Sequence, residues 1–458
     1  MFRVLAVCLA ALFVHLALPA TAAGAGARPV RVLTSFPPQF LEPYRRAFEQ
    51  RHPGSTIEFV QRKTTAAVAG IVGGRQKADV FWASAPDAFE ILKAAGRLAR
   101  LGPRPTGAPE RIAGYPVNDP DGAYLGFALS GYGFVYNPDY MAEKGLPVPR
   151  AWFDLAAPIY AGHIGISAPS RSGTMHLMVE AILQVYGWER GWGLWSEIGG
   201  NLATVTARSF GVSAGVAGGR FGVGPSIDFL ANQDSLPRGS TAFALPEETL
   251  FVPASIAVLR DGDNREGAER FVDLVLSPEG QAILLDPAIA RLPISPSAYA
   301  VGDVGADSPF RREGLFAHGL FDPRLSAARY ELVNIIFDEM ITFRRAELAR
   351  IWRSVRMAEA ALVRRGDAEV ARLVSEARDA LTRPPVGADE AMDPERWRTL
   401  ERVRRGVPAP EPQARLEARI KTAIDDNMRR AGRAMAEATA RLDARAAGRG
   451  TSGAEASP

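Results

Sequence analysis

Small hydroxyl residues stand at several points where a predicted strand gives way to a predicted helix. These turns contain Thr34-Ser35, Thr64-Thr65, Ser84 and the run Ser172-Gly173-Thr174. The first turn of a helix has unpaired backbone N–H groups and a partial positive charge, and hydroxyl side chains add further donors. If the turns face one cleft, they form a site for an oxyanion. The alternative is that each Ser or Thr caps only its own helix.

Two acidic positions complement the hydroxyl turns. Asp228 follows the strand and turn of residues 221–227, and Glu247 follows a predicted strand at 241–245. A carboxylate in a cleft accepts hydrogen bonds from ligand hydroxyls or pairs with an ammonium group, whereas in an ordinary turn it is simply solvated. The predicted ligand-binding residues are Ser35, Thr64, Thr65, Ser84, Ser172, Gly173, Thr174, Asp228 and Glu247.

Signatures of catalysis are sparse. The chain has five His, and no two of them stand four residues apart with a carboxylate between them, as a zinc-protease helix requires. The one Cys, Cys8, lies in an N-terminal apolar run. The Gly-rich run 219–224 has the wrong spacing for a dinucleotide turn. We therefore predict no enzyme activity, no catalytic residue, no metal and no cofactor.

Short β-rich runs alternate with helical segments in the first part of the chain. Val30–Thr34, Thr56–Val60 and Asp79–Ala83 read as strands, and each is followed by a helix. This rhythm predicts an α/β domain in which the carboxyl ends of the strands gather at one edge, where ligands bind.

A second α/β block begins with a long β-rich crossing at 124–136. Two lobes joined by crossing strands follow from this pattern, with lobe one at 24–125 and 251–330 and lobe two at 126–250. The crossing segments near 127–131 and 250–253 are the expected hinge.

Beyond lobe one the composition changes to long amphipathic helices. Apolar residues at helical spacing predict a helical extension at 331–446, broken at Pro384-Pro385. The apolar stripe between Leu416 and Leu442 is thin, which is typical of a coiled coil or a partner-binding helix. The Gly- and Ser-rich end, 447–458, is predicted to be disordered.

The N-terminus carries the pattern of an export signal. Arg3 precedes an apolar stretch at 4–19, and small residues follow at the positions that signal peptidase reads. The stretch is short for a transmembrane anchor, which needs about 20 apolar residues. Residues 1–23 are thus predicted to be a cleaved signal peptide, and the mature protein to be periplasmic.

Charge and composition exclude two broad classes. The formal net charge is +3, too small for a protein that coats nucleic acid, so we predict no nucleic-acid partner. With 47% hydrophobic residues, the chain buries a substantial core and is not disordered as a whole.

Several motifs in order along the chain carry a resemblance to a known family. They are the opening Val32-Leu33-Thr34-Ser35-Phe36, then Ala78-Asp79-Val80-Phe81-Trp82-Ala83-Ser84, Gly131-Tyr132-Gly133-Phe134-Val135-Tyr136-Asn137, Trp152-Phe153-Asp154-Leu155, Ser172-Gly173-Thr174, Gly224-Pro225-Ser226-Ile227-Asp228 and Pro246-Glu247-Glu248. Residues 29 to about 330 resemble the periplasmic solute-binding proteins of ABC importers, in the group with ferric-ion, sugar-phosphate, phosphoglycerate and phosphonate binders. The resemblance implies a two-lobed fold with a hinge, a small anionic ligand and an inner-membrane ABC permease as partner.

Within that group, the organophosphate binders are more similar to this chain than the ferric binders. The ferric binders have a Tyr-Tyr pair where this chain has Asp228-Phe229, whereas organophosphate binders place Ser and Thr at these turns and an acid near Asp228. A sugar phosphate, a phosphoglycerate, a phosphonate and ferric ion with a synergistic anion all remain open. An alternative function is a ligand sensor whose C-terminal helices dock on a membrane sensor kinase.

Overall fold

A computed structural model describes residues 28–112, 115–231, 239–246, 251–300, 321–397, 399–400 and 408–452. The predicted signal peptide, Glu247 and the last six residues of the predicted tail, 453–458, lie outside these ranges. The strands are β1 Val30–Thr34, β2 Ile57–Gln61, β3 Val80–Ala83, β4 Arg111–Ile112, β5 Tyr115–Pro116, β6 Leu125–Tyr136, β7 Ile164–Ser167, β8 Leu202–Thr206, β9 Val223–Ile227, β10 Ala242–Ala244, β11 Phe251–Val258 and β12 Leu292–Pro293.

Helices are interspersed with these strands as far as β12, and beyond β12 they follow one another. They are α1 Pro38–Arg51, α2 Thr64–Val72, α3 Pro86–Ala94, α4 Pro138–Lys144, α5 Gly173–Tyr186, α6 Trp188–Gly199, α7 Phe210–Ala217, α8 Asp228–Ala231, α9 Arg265–Leu276, α10 Pro278–Ile283, α11 Pro323–Ala328, α12 Tyr330–Phe337, α13 Arg345–Arg365, α14 Ala368–Thr382, α15 Ala388–Ala391, α16 Pro394–Trp397 and α17 Glu411–Ser452. A π-helical turn, Asp338–Thr342, separates α12 from α13.

Strand β6 is shared by two sheets. Its first half, as far as Gly131, pairs antiparallel with β11, and its second half, from Tyr132, pairs antiparallel with β9. The strand order is β2-β1-β3-β11-β6-β9-β7-β8. One long strand therefore joins the lobe-one sheet to the lobe-two sheet, where the sequence indicated a β-rich crossing.

Parallel pairing places the ends of several strands at the cleft side of each lobe. β1 pairs in parallel with β2 and β3, and β7 pairs in parallel with β8 and β9. The turns that follow these strands therefore leave the sheets at their carboxyl edges, where open α/β sheets bind ligands. The predicted α/β fold of two lobes is confirmed.

The C-terminal helical extension is also confirmed, and it packs on lobe two. Trp352 of α13 lies against Gly200, where an added Cβ would be 2.7 Å from the indole Cδ1, and its Nε1 donates to Ser196 Oγ at 3.2 Å. Along α17, Ile420, Ile424 and Met428 are buried in the same core.

The partner of the α17 stripe is within the chain itself, because α17 packs on α13 and α14. The sequence pattern had indicated a coiled coil or a partner. Helix α17 continues to Ser452, so it includes the first residues of the segment predicted to be disordered.

Candidate functional site

A cleft of about 70 Å³ lies between the two lobes, at the carboxyl edges of both sheets. This volume corresponds to a few water molecules, which is the size class of a phosphoryl group. Its lining residues are Ser35, Phe36, Pro37, Arg62, Lys63, Thr64, Ser84, Arg171, Ser172, Gly173, Thr174, Arg208, Ser209, Phe210, Phe229 and Leu230. Six of the nine predicted ligand-binding residues thus line one cleft.

The lobe-one hydroxyls come from three successive strand-to-helix turns. Ser35 follows β1, Thr64 begins α2 after β2, and Ser84 follows β3. The Thr64 hydroxyl donates to Ser35 Oγ at 3.1 Å, which links two of the turns directly. None of these three side chains caps its own helix, because the N-cap positions of α1, α2 and α3 are Pro37, Lys63 and Ala85.

The starts of these helices have no side-chain cap. In α1, α2, α3 and α7, no side chain at the N-cap position accepts a hydrogen bond from the first turn. The first backbone N–H groups of α2 and α7 therefore keep donor capacity, and the partial positive charge at these helix starts favours an anion. Helices α1 and α3 begin at prolines, which have no N–H, and Ala88 N in the first turn of α3 donates to Asp87 Oδ1 at 2.9 Å. Residues at or just before all four starts line the cleft.

The lobe-two wall is built on the start of α5. Ser172 does cap its helix, since its Oγ accepts from Met175 N at 3.1 Å, and it is hydrogen-bonded to the Ser209 hydroxyl. Ser172 therefore has the helix-capping role considered from the sequence, and it also lines the cleft.

At Gly173 the two walls of the cleft approach one another closely. A Cβ at this position would lie 3.1 Å from the Ala85 Cβ and 3.3 Å from the Thr64 Cβ, both in lobe one. The residue is a glycine because this approach leaves little room for a side chain. The lobes are accordingly closed on one another in this structure.

Positive charge surrounds the cleft. Four of its lining residues are basic, namely Arg62, Lys63, Arg171 and Arg208, and none of those described is acidic. Two of these cations come from each lobe. Closure therefore brings like charges together, and an anion between them relieves their repulsion.

Three predicted ligand-binding residues are not part of this lining. Thr65 lies beside the cleft on α2 but is only 5% exposed, and its hydroxyl has no partner among the described residues. Glu247 lies outside the described residues. The third residue, Asp228, is half-buried and does not line the cleft.

The Asp228 carboxylate is committed to the backbone where the lobes join. It accepts hydrogen bonds from Gly131 N at 2.8 Å and Phe229 N at 2.7 Å. Burial raises the pKa of Asp228 to about 6, and these two hydrogen bonds and the charge of Arg291 oppose the rise. In this closed form the Asp228 carboxylate stabilises the backbone where β6 changes from pairing with β11 to pairing with β9. It does not line the cleft.

The basic side chains were the part of the site that sequence reasoning missed. Arg62 and Lys63 directly precede Thr64, and Arg208 and Ser209 directly precede α7. Extending the search for hydroxyl turns to adjacent cations would have found them.

The comparisons with known proteins agree with this architecture. A family model described as bacterial extracellular solute-binding protein matches residues 75–309, half of the chain. The chain belongs to this family. It is a binding protein of the type that serves ABC importers, and not an enzyme.

Among individual proteins, the chain is similar to the phosphoglycerate transport regulatory protein PgtC of Salmonella typhimurium. The two are 33% identical over 352 residues, which cover 76% of this chain and 83% of PgtC.

Two solved structures share the fold. One is the periplasmic binding protein AfuA from Actinobacillus pleuropneumoniae, with exogenous fructose-6-phosphate bound. It matches with a TM-score of 0.61 at 18% identity, and the match covers 69% of this chain and 99% of the AfuA chain. The other is the apo ferric ion-binding protein A of Pasteurella haemolytica. It matches with a TM-score of 0.56 at 15% identity, and the match covers 68% of this chain and 98% of the ferric-binding protein. At these identities the likeness concerns the fold alone.

Two further features bear on the site and its surroundings. Within the described ranges, no three His, Cys, Asp or Glu side chains are grouped so that they could share a metal ion. Across the same residues, no helix combines the length and hydrophobicity needed to cross a bilayer.

Proposed function

We propose that this protein captures a small phosphorylated organic anion in the cleft between its lobes and delivers it to an ABC importer. The observation that carries the proposal is the lining of the cleft, in which four basic residues and no described acidic residue surround hydroxyl groups and the uncapped starts of α2 and α7. Phosphate oxygens accept hydrogen bonds, and each of these groups donates them or carries positive charge.

Closure of the lobes supplies much of the binding. Ser35, Thr64 and Ser84 approach the anion from lobe one, and the Ser172-Gly173-Thr174 turn approaches from lobe two. Closing the cleft excludes water, which strengthens these hydrogen bonds. The hinge lies where β6 changes partner between Gly131 and Tyr132, because the chain there belongs to both sheets.

Phosphoglycerate is the first ligand to test. The relative that supports it is the phosphoglycerate transport regulatory protein, with which this chain shares 33% identity over most of both lengths. In this proposal Asp228 and Glu247 read the organic part of the ligand, with Asp228 released from its backbone contacts when the cleft opens to load it.

Location and partner follow from the same proposal. The signal peptide at 1–23 directs the chain to the periplasm. There the closed, loaded protein docks on an inner-membrane ABC permease.

A second candidate is a ligand sensor that contacts a membrane sensor kinase through the extension. It is favoured by the position of α11 and α12, which pack on helices from both sides of the cleft, α3 of lobe one and α5 of lobe two. The similarity to PgtC, a phosphoglycerate transport regulatory protein, supports the same candidate.

A thermal-shift screen of the protein without its predicted signal peptide tests the ligand class. The screen contains 3-phosphoglycerate, sugar phosphates, a phosphonate and ferric citrate. A ligand at 100 times its dissociation constant adds about 2.7 kcal/mol of stability. We expect a shift with a phosphate ester that is reduced in Arg171→Gln and Arg208→Gln but kept in Arg350→Gln, an exposed position on α13.

Two outcomes would contradict the proposal. A shift with ferric citrate alone would assign the cleft to iron, in spite of the basic lining. A phosphate-ester shift that survives both cleft substitutions would place the ligand at another site.

A further inference from the structure

Arg291 lies beneath the cleft and is almost completely buried. Its side chain is 1% exposed, and its guanidinium carbon lies 4.2 Å from the centre of the Phe229 ring and 4.9 Å from that of Phe36. Both of these rings line the cleft. The guanidinium therefore lies one side-chain layer from the proposed anion.

This buried cation has no carboxylate partner among the described residues. Its hydrogen bonds go to two serine hydroxyls, Ser130 Oγ at 2.6 Å and Ser84 Oγ at 3.3 Å from both terminal nitrogens. Its Nε finds no acceptor in the described part of the chain. The nearby Asp228 uses its oxygens on backbone N–H groups instead. Asp228 attracts this charge without forming an ion pair with it, so part of the cost of burying the guanidinium is not offset, and the surroundings favour a further anion close by.

The bonds from Arg291 decide what the Ser84 hydroxyl can do. A hydroxyl has one donor hydrogen and two acceptor lone pairs. Two N–H groups of Arg291 point at the Ser84 oxygen, and the hydroxyl donates to no described residue. Ser84 lines the cleft, so its hydrogen remains available on that side.

We propose that Arg291 is a positioning residue of the anion site, which holds Ser84 as a hydrogen-bond donor towards the phosphoryl group and supplies the buried positive charge behind it. The proposal rests on the proposed function, because it assigns one more component of the same cleft. Phe229 fits this role, because the guanidinium lies over the face of its ring, where the negative π-face attracts a cation.

A purely structural role predicts something different. If Arg291 only filled the space among its aromatic neighbours, its replacement would lower stability and would weaken all ligands alike. If it acts through Ser84 and through its charge, the effects of the two residues on affinity depend on each other, and doubly charged ligands lose more affinity than singly charged ones.

A double-mutant cycle measured by titration calorimetry separates these roles. The variants are Ser84→Ala, Arg291→Gln and the double substitution, and the probes at pH 8 are 3-phosphoglycerate and its sulfate-ester analogue, which carries one charge fewer on the ester group. We expect Ser84→Ala to weaken 3-phosphoglycerate binding about tenfold in the wild type and less than threefold in the Arg291→Gln background. Arg291→Gln should also reduce the preference for phosphate over sulfate.

Arg329→Gln is the matched control, because Arg329 is equally buried but is ion-paired with Glu180. It should lower the melting temperature without changing the phosphate-to-sulfate preference. If Arg291→Gln does not fold, Arg291→Lys enters the same cycle, and it should keep the preference while losing the coupling to Ser84.

Equal losses from Ser84→Ala in both backgrounds, with an unchanged phosphate-to-sulfate preference, would overturn the role of Arg291 and leave the phosphate cleft intact. Absence of binding of either ester to the wild type would instead overturn the assigned ligand class, and the role of Arg291 with it.

Discussion

Gly173 carries the clearest steric requirement of the cleft. Its position opposite Thr64 and Ala85 leaves 3.1 to 3.3 Å for a Cβ, tighter than ordinary van der Waals contact. A methyl group there resists closure but not folding, since Gly173 is the first residue of α5 and alanine suits a helix.

We therefore expect Gly173→Ala to weaken ligand binding about tenfold while leaving the melting temperature of the ligand-free protein unchanged or raised. Titration calorimetry and thermal unfolding measure the two quantities. Gly432→Ala, in α17 where a Cβ meets nothing within 4 Å, is the control and should not change affinity. Unaltered binding in Gly173→Ala would mean that the lobes do not close at this point when ligand is bound.

At the scale of elements, helices α3 and α5 from opposite lobes meet through buried polar groups. Asp87 Oδ2 lies 3.5 Å from His176 Nε2, and both side chains are fully buried. The extension completes the cluster, because Asn334 Oδ1 lies 3.0 Å from His176 Nδ1 and the Tyr330 ring stacks on the imidazole at 3.7 Å. The helices that begin beside the cleft are thus linked to the extension.

Burial keeps this pair neutral rather than ionic. It raises the pKa of Asp87 to about 7 and lowers the pKa of His176 to about 4. Between these values the carboxyl is protonated and the imidazole uncharged, so the contact is not a salt bridge, and the Ser326 hydroxyl is hydrogen-bonded to both groups.

The raised pKa of Asp87 makes its contribution to stability fall as pH rises. The unfolded carboxyl ionises near pH 4, whereas the folded one keeps its proton to about pH 7, so the contribution of Asp87 to stability is lost as pH rises between those values. The loss is on the order of 1 kcal/mol for each pH unit. His176 acts in the opposite direction below about pH 6, where its unfolded form takes up a proton first.

Below about pH 6 the effects of Asp87 and His176 on stability oppose one another in the wild type. We expect Asp87→Asn, whose amide does not ionise, to leave the effect of His176 unopposed, so that stability rises with pH more steeply in the variant than in the wild type between about pH 4 and pH 6. Urea unfolding at several pH values measures it, with Asp263→Asn, an exposed aspartate, as the control. The same pH dependence of stability in wild type and Asp87→Asn would show that Asp87 ionises normally in the folded protein.

The elements differ in how far the sequence alone predicts them. The runs Val30–Thr34 and Asp79–Ala83 match β1 and β3 within one residue, since alternating β-branched and aromatic residues bounded by turns are a local signal. The predicted strand at 221–223 is displaced, because β9 runs from Val223 through Pro225, and proline in a strand argues against extending it. The π-helical turn has no local signal at all, since no glycine or proline marks it.

The site residues also differ in how far the sequence alone predicts them. The hydroxyl turns were predictable because each lies next to its own strand and helix. The convergence of Arg62, Arg171 and Arg208 was not, because arginine is frequent throughout the chain and only the folded lobes bring these three together. Likewise, a helical stripe shows that one face of α17 is buried but does not show that α14 covers it.

At the scale of the whole molecule, the extension and lobe two form one core. Trp352 is 1% exposed and packs at the end of α6, so removing the helices after α12 would uncover this surface of lobe two. A truncated chain is therefore a poor test of what the extension does, and single substitutions are preferable.

We expect Trp352→Ala to destabilise the protein by about 3 to 5 kcal/mol, the usual cost of removing a buried Trp side chain. Denaturant unfolding followed by circular dichroism should show a single transition at lower denaturant, with lobe and extension unfolding together. Met357→Ala on the same helix, 67% exposed, is the control and should have little effect. Two separate transitions would show that the extension folds independently of lobe two.

A crystal structure of the protein with a bound phosphate ester measures most directly whether the cleft is an anion site. We predict that the phosphoryl oxygens lie between the lobes, hydrogen-bonded to the Ser84 hydroxyl and to backbone N–H groups at the starts of α2 and α5, with Arg171 and Arg208 alongside. A phosphoryl group bound outside the closed cleft, with these donors left to water, would contradict the proposed function.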